Sequence, residues 1–227
     1  MQLTQLRATW LILLATCVPS TLLTPACKRE TPRASQAAFH PPRKPMSLHE
    51  TCGYLRECHA TRSYLAMRPY VDSAHYDHLI DLLTAMDELL VANAGTQMAI
   101  RQACPGIEAG RFDMSPMANH LELFSRDVEF VGQQVEGDCG TVTVQIAERL
   151  PLTRLDFKRG NAHWLYLPGR TDPEIVPVIR EMADALNRIT MILASGLKTE
   201  KEIEDEFHCR ISPKLERIRR AGVGNNK

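Results

Sequence analysis

The sequence predicts an α+β fold: long helices packed on a curved four-stranded antiparallel meander, with further helices at the C-terminal end. Three observations predict it. Residues 128–167 divide into short runs rich in β-branched and aromatic residues, separated by turn residues. Apolar residues on both sides of that block recur at helical spacing instead. Helix caps and breakers stand where each periodic segment begins or ends.

Taken in order, a first helix covers residues 49–66, with Ser47 available as its cap. Arg68-Pro69-Tyr70 breaks it. A second helix runs from about residue 74 to 103, capped by Asp72 or Ser73. Its stripe is Leu79, Leu82, Leu83, Met86, Leu89, Leu90, Ala94 and Met98, and Cys104-Pro105-Gly106 ends it. Ser115-Pro116 opens a short helix through Phe124. Strand one is 128–135 and residues 136–140 form a turn. Strand two, 141–147, alternates Val142, Val144 and Ile146 with Thr141, Thr143 and Gln145. Strand three is 152–158, Gly160-Asn161 fits a two-residue hairpin turn, and strand four is 162–167. Asp172-Pro173 starts the next helix, with an apolar face of Ile175, Ile179, Met182, Leu186, Ile189 and Leu193, and Gly196 stops it. Thr199 to Glu202 is a capping box, Ser212-Pro213 opens a last helix, and the tail from Gly222 is expected to fray.

The N-terminus carries the location signal. Arg7 is the sole charged side chain before Lys28, and Trp10 to Ala15 is an apolar core. Residues 1–26 therefore read as an export signal or a signal anchor. Cys27 follows a small residue after the apolar stretch, as at a bacterial lipoprotein cleavage site. Cys17 is the weaker alternative. An acyl chain there would hold the chain in the membrane, at about 0.8 kcal/mol per buried methylene. Residues 27–47 are basic and Pro-rich, which is linker chemistry. The expected organisation is then a domain over 48–169, a helical extension over 170–220 and a tail over 221–227.

Formal net charge is zero, which removes the whole-chain electrostatic argument for nucleic acid. Cys52, Cys58, Cys104, Cys139 and Cys209 lie beyond the signal region, an odd number. Cys52 and Cys58 are six apart on a helix and point to different faces, so a bridge between them is not expected.

The segments Tyr64-Leu65-Ala66-Met67-Arg68-Pro69-Tyr70-Val71-Asp72, Val135-Glu136-Gly137-Asp138, Thr141-Val142-Thr143-Val144 and Gly160-Asn161-Ala162-His163-Trp164 together carry a resemblance. Over residues 48–168 the chain resembles the NTF2-like (cystatin-like, SnoaL-type) superfamily, in particular its exported, lipoprotein-like bacterial members. The resemblance implies helices paired with a curved antiparallel sheet whose concave face can hold a pocket. Some members are enzymes, many bind small ligands or proteins, and some only scaffold, so the fold does not choose among these.

Chemistry-bearing residues are sparse. His75 and His78 are i,i+3 in a first helical turn and are the candidate metal ligands. His120 with Glu122 is a weaker pair. His163 is the candidate acid or base, provided it faces the concave side with Asp127 or Asp156 nearby. The alternative puts Trp164 in the core and His163 at a half-exposed strand position. Ser63, Ser73 and Ser125 lack a nucleophile motif. No cofactor motif is present, and no metal or cofactor is expected. The leading expectation is a membrane-anchored envelope protein that binds a small ligand or protein partner without catalysis. One alternative is a hydrolase, isomerase or lyase using His163. Another is an assembly protein whose stripe over Ile175, Ile179, Met182 and Leu186 packs on a second chain.

Overall fold

Leu48, Thr51, Cys52, Leu55 and Cys58 lie on one stripe of the first helix, and all five are buried. That helix, α1 (Leu48–Ala60), starts at a capping box in which Ser47 and Glu50 bond each other's backbone N–H groups. It belongs to a computed structural model that describes residues 45–148, 150–160, 162–169, 172–196 and 199–224, without the side chains of 221–224. The export signal, Cys17, Cys27, most of the linker and Asn161 lie outside the described residues.

The helix expected over 49–66 is in fact two. Arg62 takes a left-handed φ of 54°, and the Thr61 hydroxyl folds back onto Glu57 O and Ser63 Oγ. This stops α1 at Ala60 and starts the short α2 (Tyr64–Met67) in a new direction. A 3-10 turn, Arg68–Tyr70, follows. Helix α3 (Tyr76–Ala103) begins just after Asp72, whose carboxylate accepts from Ala74 N and engages the His75 ring. Residues 115–124, expected as a short helix, form two 3-10 turns, Ser115–His120 and Glu122–Phe124.

The sheet is a four-stranded antiparallel meander: β1 (Val128–Glu136), β2 (Cys139–Ile146), β3 (Thr153–Arg159) and β4 (Trp164–Leu167), in that order. Gly137, at φ 58°, makes the tight β1–β2 turn that a side chain would resist. A bulge between Phe130 and Gly132 offsets the β1–β2 register. The alternation in β2 is as expected, with Val142, Val144 and Ile146 buried.

One face of the sheet is dry. Val142, Val144, Leu155, Phe157, Trp164 and Tyr166 are buried there in one cluster with Leu48, Cys52 and Leu55 of α1. Each such side chain contributes about 1.5–3 kcal/mol relative to exposure. The approach is close: a Cβ on Gly140 would meet Leu48 Cδ2 and Trp164 Cζ3, each at 3.0 Å. Beside β4, Val71 makes a parallel bridge to Tyr166, and Asp72 N–H donates to Tyr166 O.

The C-terminal helices pack on α3. Helix α4 (Ile175–Ala194) buries Ile179, Met182, Leu186, Ile189 and Leu193. Thr96 is fully buried on α3, and its Oγ1 bonds Leu186 O and Thr190 Oγ1 across the α3–α4 seam. The stripe considered as an assembly surface is therefore covered within the chain: Ile179, Met182 and Leu186 are at most 1% exposed. Helix α5 (Glu200–Arg210) opens on the expected Thr199–Glu202 box, and its Phe207 ring packs 4.7 Å from Phe112. Helix α6 (Ser212–Gly224) continues past Gly222, where fraying was expected.

Candidate functional site

The face of α1 that flanks its buried stripe carries Arg56 and His59, three residues apart and therefore neighbours. Across from them stand Asp87 and Leu90 of α3. The 3-10 turns and the start of the following segment supply Ser115, Ala118, Leu121, Phe124, Ser125 and Arg126. These residues enclose a cleft with a volume of about 240 Å³. Asn93 holds the turn segment against α3 by donating to Asp113 and accepting from Met114 N–H. Arg56 crosses the cleft, with Nη1 donating to Leu123 O at 3.3 Å.

Charge in the cleft is unevenly compensated. Asp87 accepts from Tyr64 Oη at 2.9 Å, pairs with Arg62 Nε at 3.3 Å, and has His59 Nε2 at 3.7 Å. Arg56 has no carboxylate within ion-pair distance among the described residues, and burial works against its charge. Burial also pushes the His59 pKa down, opposed by Asp87 and assisted by Arg56 and Arg62. At the rim, desolvation raises Asp113, but hydrogen bonds from Ser115 and Asn93, with Arg126 nearby, outweigh it and hold Asp113 below the usual carboxylate range.

Two of the lining residues bury a polar atom without a hydrogen bond. Ser125 is 1% exposed, and its Oγ has no hydrogen-bond partner. His59 Nε2 has the loose Asp87 contact and no hydrogen bond. A buried donor or acceptor left unpaired costs about 1–3 kcal/mol. The cleft walls of Ala60, Leu90, Ala118, Leu121 and Phe124 receive an apolar group.

The residues singled out from sequence sit elsewhere. His163 is half-buried just before β4, with its ring 4.8 Å from Tyr70 and its Nδ1 buried without a partner. Neither proposed carboxylate reaches it. Asp156 is exposed and accepts from Thr141 Oγ1. Asp127 is tied to Asn119 and lies beside Ala147 at one end of β2, whereas the strand register carries His163 past the other end, so the full length of that strand separates them. Trp164 takes the core position. His75 bonds Asp72 at 2.8 Å, and His78 Nε2 is buried without a partner. Glu122 bonds the Tyr166 hydroxyl and Gly169 N–H instead of joining His120 in a ligand set. Among the described residues no group of three or more His, Cys, Asp or Glu side chains is placed to hold a metal. Arg56, His59 and Asp87 were missed by the sequence reading, and Ser125 was set aside for lack of a motif. The signal available was the i,i+3 pair of Arg56 and His59 beside an apolar stripe.

His59 sets a pH dependence. Its folded pKa lies below the ordinary value of about 6.5, so the unfolded chain takes up the proton first. The stability that neutral His59 contributes is complete above that value and falls as pH drops from about 6.5 toward the folded pKa. In urea titrations from pH 7.5 to 5, His59→Gln is predicted to show a shallower loss of stability than the wild type. Parallel curves would contradict this environment for His59.

No protein-family model, curated protein or solved structure matches this chain. The functional reading therefore rests on the chemistry of the cleft.

Proposed function

We propose that this chain is a membrane-tethered protein of the cell envelope whose folded domain binds a small ligand without transforming it. The ligand site is the cleft between α1 and α3. The observation that carries this reading is the cleft itself: about 240 Å³, apolar-walled, and lined by an Arg56 that has no carboxylate within ion-pair distance among the described residues. The helices preceding an antiparallel meander over residues 48–168 support a kinship with NTF2-like domains. In this reading α1 occupies the sheet face on which such domains can keep a pocket. The tether reading draws on the apolar segment after Arg7 and on Cys27. Among the described residues no helix is long and apolar enough to cross a membrane.

A hydrolytic reading of Ser125, His59 and Asp87 is weaker. A nucleophile needs its base within hydrogen-bond reach, and Ser125 Oγ has no such partner. His59 also turns Nε2 toward Asp87 at 3.7 Å, longer than the contact that orients a catalytic base.

Ligand-detected NMR of a fragment set against the full chain tests the cleft. Ala60 is exposed at its mouth, so Ala60→Trp is predicted to close it with little effect on the fold. Fragments that bind the wild type are expected to lose binding in this variant. Binding that persists unchanged would place the site elsewhere. The tether is tested separately by mass spectrometry of the mature N-terminus. The expected product begins at an acylated Cys27, and an unmodified start after residue 27 would refute lipidation there.

A further inference from the structure

We propose that the cleft between α1 and α3 selects a small monocarboxylate, with the carboxylate held by Arg56 and its apolar body packed against Leu90, Leu121 and Phe124. This rests on reading the cleft as a ligand site, and it names the class of ligand. The guanidinium of Arg56 is half-buried and has no carboxylate partner among the described residues. One of its N–H groups is spent on Leu123 O, and the planar fork retains others for an anion.

The acidic group in the cleft does not oppose such a ligand. Asp87 is already engaged by Tyr64 Oη and Arg62 Nε. With that charge offset, the uncompensated charge facing the cavity is positive. Arg126 adds a second guanidinium at the wall. The planar fork of Arg56 matches the two coplanar oxygens of a carboxylate, and the walls of Leu90, Leu121 and Phe124 suit an organic body that inorganic phosphate lacks.

Size narrows the class further. An apolar cavity of about 150 Å³ holds benzene, so a cleft of about 240 Å³ suits a ring or short chain bearing one carboxylate. Benzoate is a fitting probe, and benzamide is its neutral counterpart of the same shape.

The full chain is titrated calorimetrically with sodium benzoate, benzamide and inorganic phosphate. Benzoate is expected to bind at least tenfold more tightly than either of the others. Arg56→Met is expected to weaken benzoate at least tenfold, and Arg56→Lys to recover part of that loss. Ala60→Trp keeps the proposal testable if Arg56→Met misfolds, because it is expected to fill the cleft and abolish benzoate binding. Benzamide or phosphate binding as tightly as benzoate, in a manner abolished by Ala60→Trp, would overturn the carboxylate class and leave the cleft as a ligand site. Absence of benzoate binding overturns the proposal too. If no fragment is sensitive to Ala60→Trp either, the binding-module reading fails with it.

Discussion

The packing of one helical stripe onto one face of the sheet governs the rest of this structure. Leu48, Cys52 and Leu55 of α1 share a buried cluster with Val142, Leu155, Phe157, Trp164 and Tyr166. Gly140 permits the contact, because any side chain there would press into Leu48 and Trp164. Two consequences follow from helix geometry. At these residues the sheet face is filled by protein. The neighbouring face of α1, rotated by one residue, is fixed in direction and presents Arg56 and His59 to α3.

The cleft is therefore a by-product of core packing that acquires polar character from its walls. Arg62 adopts a left-handed φ where α1 ends, and this turns the chain so that Tyr64 reaches Asp87. Arg62 itself pairs with the same carboxylate. The strain at that turn thus lies beside the groups that neutralise Asp87, leaving Arg56 as the unmatched charge. Surface ion pairs elsewhere, such as Arg217 with Glu181, sit in solvent and add little to stability.

Much of the fold was legible because local rules agreed with tertiary packing. The alternation of Val142, Val144 and Ile146 marked the inner face of β2, and Ile179, Met182 and Leu186 marked the buried face of α4. Thr199 with Glu202 announced α5 by a local hydrogen-bond pattern. The break after Ala60 was not legible, because neither Thr61 nor Arg62 is a glycine or proline and a left-handed Arg leaves no compositional mark. The cleft was illegible for another reason. Beyond the i,i+3 pair of Arg56 and His59, the lining residues come from α1, α3 and the 3-10 turns at no fixed spacing, so only the folded chain brings them together. His163 misled because its neighbour Trp164 claimed the inward position, and because Asp127 lies at the other end of the strand pair.

The claim that α1 seals the sheet is tested most directly by peptide-resolved thiol alkylation of the native full chain under reducing conditions. Cys52 and Cys58 are fully buried, and burial lifts the Cys52 pKa to about 12, whereas Cys139 and Cys209 are exposed. Cys139 and Cys209 should label rapidly, and Cys52 and Cys58 only after denaturant unfolds the domain. Native labelling of Cys52 and Cys58 at the rate of Cys139 would contradict the packing on which the cleft and its proposed ligand depend.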